Sequence, residues 1–321
     1  MSRSDLHGYL LVHFVESSTE HTEKIYYSLS CGDDPTTWER LNNGQPVLES
    51  ALGTTGVRDP HLIRHAEGTG FTLIATDLRV WAKGHHTPEM WDEWTRRGSR
   101  SVLLWRSRDL VHWSAPQLKP LAPAEAGMAW ALKTLYDPSS SQYELFWSSH
   151  LYAEEDRWHT APSYSRILTS RSSDFTTFTS PKVYLDTGSS VIDLYAVRAG
   201  GAVHRFFKED SSGTGSPGIC HEVGGSIHGD FERLAQNIGN DRYRQLEGPA
   251  AFPDNRHPRR WYLFLDQYLD SPQGYVGLYS DDIASGQWKW VKNFSMPPNT
   301  KHGTVLPLHR GEWERLRAAY P

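Results

Sequence analysis

One short pattern recurs five times along the chain and restricts the fold more than any other feature of it. A strand opening reads Val57-Arg58-Asp59-Pro60, then Trp130-Ala131-Leu132-Lys133, Val191-Ile192-Asp193, Leu246-Glu247-Gly248-Pro249 and Lys301-His302-Gly303-Thr304. Between these openings lies an edge segment marked by an aromatic residue: Trp38, Trp113, Phe178, Phe231 and Trp288. The aromatic residues recur at intervals of roughly fifty to seventy-five residues. Self-similarity of this period, with four short alternating segments per unit, predicts an all-β five-bladed β-propeller. In that architecture the first strand of each blade lines a central channel. The carboxylic residues Asp59, Asp193 and Glu247 are therefore expected at equivalent repeat positions, converging on one mouth. Such convergence of acids predicts a catalytic site.

The blades are expected at about 56–121, 129–185, 190–234 and 245–291. The fifth opening, at His302, has one strand after it and then a short helix over Gly311–Pro321. Its missing partners lie at the other end, in Tyr9–Glu16, Lys24–Ser30 and Trp38–Leu48. Pairing of the N-terminal strands with the C-terminal strand would close the ring and leave no exposed edge. All of residues 1–321 are thus expected in one propeller domain. An insertion, Lys83–Arg100, interrupts the first blade and is long enough for a short helix or flap over a channel mouth.

Composition agrees and excludes several classes. Hydrophobic content is only 38%, but 13 Trp, 15 Tyr and 11 Phe supply bulky core material, and exposed rings suit sugar faces. A net charge of −5 with mixed signs gives no basic stripe, so no nucleic-acid partner is expected. Two cysteines make neither a disulfide framework nor a cysteine metal site. No apolar run reaches membrane-spanning length, so no membrane partner is expected either. The first residues lack the basic and apolar regions of a secretory signal, which places the chain as written in the cytoplasm; a signal removed beforehand would leave the same start. Nothing in the sequence bears on oligomeric state.

Glycoside hydrolysis requires the parts that converge here. One carboxylate activates water and a second carboxyl group protonates the leaving oxygen, roughly 6.5–9.5 Å away in an inverting enzyme. A third acid nearby raises the second one's pKa by like-charge repulsion. Arg58, Asp77 and Asp266 lie at strand ends near the mouth, where a substrate contact and a turn or salt-bridge role are both open. Trp130 is placed either to stack on a sugar or to plug the core. His85-His86 has no third ligand at metal-site spacing and reads as solvated loop.

The chain resembles glycoside hydrolase family 43, the arabinofuranosidase, xylosidase and arabinanase group. The matching stretches are Val57–Ile63, Ser190–Asp193, Leu246–Pro249 and His302–Val305, with Ser107–Trp113 as the blade-edge pattern of that clan. The resemblance covers essentially the whole chain. It implies Asp59 as general base, Asp193 as pKa modulator and orienter, and Glu247 as general acid. It also implies a carbohydrate substrate and no cofactor for the chemistry, with His302 at a position that often sits beside an axial cation such as calcium. One departure stands out: Lys133 occupies a place where such sequences carry an acid. The expected activity is release of a terminal pentose, most simply α-L-arabinofuranose. A β-xylosidase, an endo-arabinanase and a non-catalytic glycan- or protein-binding propeller are the alternatives.

Overall fold

The structure is a computed structural model, described for residues 5–81, 87–210 and 218–321. His85-His86 and most of the Ser211–Gly218 loop lie outside these residues. Among the described residues, twenty strands form five four-stranded antiparallel sheets. The first blade contains β4 (Val57–Arg64), β5 (Phe71–Asp77), β6 (Ser101–Ser107) and β7 (Gln117–Pro120). The second contains β8 (Trp130–Asp137), β9 (Gln142–His150), β10 (Ser165–Ser172) and β11 (Lys182–Leu185). The third runs β12 (Val191–Ala199), β13 (Ala202–Glu209), β14 (Gly218–Gly224), β15 (Phe231–Ala235). The fourth runs β16 (Leu246–Pro253), β17 (Trp261–Gln267), β18 (Gly274–Ser280), β19 (Lys289–Trp290).

The fifth blade is split between the termini. Its order is β20 (Thr300–His309), β1 (Leu6–Val15), β2 (Tyr26–Cys31), β3 (Asp34–Arg40), with Leu10 opposite Leu306 and Val12 opposite Thr304. The last of these departs from expectation. Trp38 lies inside β3, because its indole N–H donates to the Pro35 carbonyl, and the strand ends at Arg40 before a short turn rather than running to Leu48. Asn255 links the closure to the fourth blade: its amide donates to the Gly8 carbonyl at 3.1 Å and its backbone N–H to the Tyr9 hydroxyl.

The core lies between neighbouring sheets. Leu104, Leu132, Leu145 and Trp147 fill one such layer, and Phe206, Leu246, Phe264 and Trp38 fill another. Repetition of the blade edge has a local cause. Ser107 Oγ accepts the Leu110 N–H and Asp109 Oδ1 accepts the Val111 and His112 N–H groups. Ser172 and Asp174 make the same turn before Phe178. A serine two residues before an aspartate satisfies a tight turn's backbone donors, so the pattern recurs wherever that turn does.

Four of the five inner strands open with the same bulge. Register slips between Arg58 and His61, Trp130 and Lys133, Ile192 and Tyr195, and Glu247 and Ala250. The second residue of each bulge has positive φ: Asp59 (52°), Ala131 (53°), Asp193 (59°) and Gly248 (55°). Asp59 and Asp193 are therefore equivalent, as expected. Glu247 is not; it precedes the left-handed residue and occupies the position of Arg58, Trp130 and Ile192. A bulge re-aims side chains that a regular strand would send to opposite faces, and that allows both positions to serve the same mouth.

Candidate active site

The residue opposite each bulge on the second strand serves the next blade around the ring. Thr76 accepts the Ala131 N–H at 2.9 Å, and Ser148 accepts the Asp193 N–H at 3.1 Å. Lys208 donates to Glu247 at 3.1 Å. Asp266 accepts from Lys301 at 3.3 Å, and the Phe14 ring lies 4.4 Å from the Arg58 guanidinium. This relay positions the site from one blade to the next.

His302 is at its centre. Its Nδ1 lies 3.2 Å from Asp59 and 3.8 Å from Asp193, and its Nε2 lies 3.1 Å from Glu247 and 3.3 Å from Asp266. Burial alone would strip the ring of its proton, but the surrounding carboxylates, Asp193, Asp59 and Glu247 foremost, raise its pKa well above the ordinary value. Gly248 allows the close approach: a Cβ there would come within 2.5 Å of the His302 ring. The Gly248 N–H donates to Asp193 at 3.0 Å.

Four buried cations, Lys133, Lys208, Lys301 and His302, stand among the four acids Asp59, Asp193, Glu247 and Asp266. Burial works against charge on Asp59, but His302, then Arg58 and Lys133, keep its pKa below the usual carboxylate value. Burial likewise opposes charge on Glu247; Lys208, with His302 and Lys301, overcomes it and holds Glu247 well below the carboxylate range. Asp193 goes the other way. Its burial, reinforced by Glu247 and Asp59, outweighs His302 and raises its pKa. Burial also lifts Asp266, to about 6, against the pull of Lys301 and His302. A general-acid role for Glu247 calls for a raised pKa, so the direction found in the free protein is opposite to that expectation.

The other candidates are placed as follows. Arg58 pairs with Glu23 at 2.7 Å and Glu16 at 3.2 Å, a structural network beside the mouth. Asp77 is buried and accepts the N–H and hydroxyl of Thr54, holding the loop before β4. Trp130 opens β8, with its ring 6.1 Å from that of Trp91. Lys133 donates to the backbone carbonyls of Asp59 and Pro60 rather than to a carboxylate; burial lowers its pKa to about 8 against the fields of Asp59 and Asp193.

Lys208 and Lys301 escaped sequence reasoning. The signal that could have found Lys208 is its place opposite a bulge, the place of Asp266 one blade later.

Ligand atoms of Asp193, Glu247 and His302 lie within 4.8 Å of one another, so a cation site there needs testing. Calcium takes six to eight oxygen ligands. Here both His302 nitrogens face carboxylates, and buried lysines already neutralise the acids. The set fits calcium poorly, and no step below involves a metal.

The fold is a five-bladed propeller, and its mouth gathers four carboxylates around one imidazole. Residues 4–314 match a family described as a probable glycosyl hydrolase domain, related to family 43, and the chain belongs to it. An α-L-arabinofuranosidase of Bifidobacterium longum subsp. longum is 30% identical over 278 residues, 82% of this chain and 24% of that protein. The chain therefore spans about a quarter of that relative's length. Among solved structures, a glycoside hydrolase matches with a TM-score of 0.56 at 12% identity, covering 92% of each chain. The catalytic domain of a Coprinopsis cinerea GH62 α-L-arabinofuranosidase matches with a TM-score of 0.52 at 12% identity, covering 78% of this chain and 72% of that one. At such identities these likenesses establish the fold.

Proposed function

We propose that the chain hydrolyses the glycosidic bond of a terminal α-L-arabinofuranose on plant-type polysaccharides or oligosaccharides, with inversion. The observation that carries this is the placing of Asp59 and Glu247 on opposite nitrogens of one imidazole, with Asp193 beside them. Asp59, held ionised, takes a proton from the attacking water. Glu247 is the carboxylate that reaches the leaving oxygen, because its side chain is 22% exposed against 7% for Asp193 and 1% for Asp266. Its proton comes from His302 Nε2. After the bond breaks, Asp59 holds a proton and His302 Nε2 lacks one; Nδ1 still carries its own proton, so water takes the proton from Asp59 and resupplies Nε2. A proton held on His302 reconciles a Glu247 kept ionised at rest with an acid role during turnover. Arabinose rather than xylose rests on the 30% identical relative.

The test is hydrolysis of 4-nitrophenyl α-L-arabinofuranoside and β-D-xyloside, with the product anomer followed by proton NMR beside an Asp59→Asn control. Initial release of the inverted arabinose anomer supports the reading. Release of the retained anomer, or of xylose only, contradicts it.

A further inference from the structure

The insertion after β5 and the loop after β9 both leave the sheet at the mouth end, and both carry tryptophans the chemistry above does not use. Residues Pro88–Arg97 of the insertion form a helix, α1, in which no residue is buried. Trp91 and Trp94 of α1 lie 5.0 Å apart, edge to face, and Trp91 meets Trp130 at 6.1 Å. Trp130 occupies the bulge position that Glu247 has in its own blade, so this ring series begins at the mouth. Its indole N–H is buried without a hydrogen-bond partner among the described residues. Buried donors are ordinarily paired, and one left open beside a substrate mouth is suited to a ligand hydroxyl.

The loop after β9 is fastened to the same helix through its backbone. Arg97 donates to the Trp158 carbonyl at 2.9 Å, and Arg96 donates to the carbonyls of His159 and Ala161 at 2.9 Å each. His159 stacks on Tyr152 at 4.3 Å. The loop is thus clamped to the helix, yet the Trp158 ring remains 77% exposed. A large ring held largely in water by a fixed backbone forgoes apolar burial. Neither the exposed indole nor the arginine clamp is needed to hydrolyse a single terminal sugar.

We propose that Trp130, Trp91, Trp94 and Trp158 form an aromatic track that binds the glycan chain carrying the scissile sugar. Indole faces match the C–H faces of sugar rings, while the sugar hydroxyls stay solvated. The proposal rests on the glycosidase reading for its ligand and on the continuity of the track with the mouth for its place. It makes the polymer a better substrate than an aryl glycoside through binding rather than chemistry.

The experiment separates the two. In an Asp59→Asn background, which binds without cleaving, native affinity gels containing soluble arabinoxylan or arabinan measure polymer binding. Replacing one aromatic contact, Trp158→Ala, is expected to weaken binding roughly three- to tenfold, with Trp158→Phe restoring most of it. In the otherwise unmodified chain, Trp158→Ala should leave kcat/KM on 4-nitrophenyl pentosides unchanged. Polymer binding undiminished in Trp158→Ala, or an equal loss on aryl pentosides, would overturn the track. A chain that binds polymer through Trp158 but cleaves no pentoside would overturn the proposed activity alone.

Discussion

Lys208 sets the charge of Glu247 from 3.1 Å, and that contact makes the clearest residue-scale prediction. Lys208→Met removes the nearby cation that favours the carboxylate, so the Glu247 pKa rises. The proton that Glu247 delivers rests on His302, and loss of the Lys208 cation favours that proton as well, so the alkaline limb of the pH–rate profile should move to higher pH. Asp193→Asn should move the same limb to lower pH, because a like-charged neighbour is lost. A limb unmoved in both variants would separate Glu247 from proton delivery. The convergence of Asp59, Asp193, Glu247 and His302 was legible in the sequence because all four lie inside the repeated signature. Lys208 was not, since a lysine at a second-strand end looks like any solvated strand terminus until the bulge opposite it is known; Lys301 lies inside the signature, but its partner Asp266 is on another blade.

Among the elements, the bulge accounts for most of what the sequence concealed. Asp59 and Glu247 look alike as acids at strand starts, but φ is positive at Asp59 and at Gly248, so the two acids stand one position apart. Residue identity does not reveal that offset, because aspartate and glycine both tolerate the left-handed region. Gly248→Ala tests its purpose. The methyl group would meet the His302 ring at 2.5 Å, whereas at Gly188, also of positive φ (79°), a Cβ would meet nothing within 4 Å. Both substitutions carry backbone strain of about 1–2 kcal/mol. Gly248→Ala should in addition lower kcat by at least about tenfold, equivalent to some 1.4 kcal/mol in the barrier; Gly188→Ala should change thermal stability alone. Equal kcat in the two variants would show that the His302 approach is not needed. The misjudged end of β3 has a similar origin: Trp38 bonds back to Pro35 and so sits within its strand instead of opening it.

At the scale of the molecule, the order of blades and the split fifth blade were legible because a ring must pair its ends. Four of the five sheets use strands consecutive in sequence, and the fifth joins β20 to β1. Deleting residues 1–20 removes the strand against which β20 pairs, together with Tyr9, Leu11 and Phe14 of the core. The loss should be global rather than local: circular dichroism should show no cooperative melting transition, and a truncated chain that melts like the full one would refute closure through β1. The ring matters because it brings Asp59 and Glu247, distant in sequence, to one imidazole. The most direct measurement is the leaving-group dependence of two variants. Asp59→Asn should abolish turnover of every pentoside, since water then has no base. Glu247→Gln should lose unactivated oligosaccharides while retaining much of its rate on 4-nitrophenyl pentosides, whose leaving group needs no proton. Equal losses on both substrate types in Glu247→Gln, or wild-type turnover in Asp59→Asn, would contradict the account.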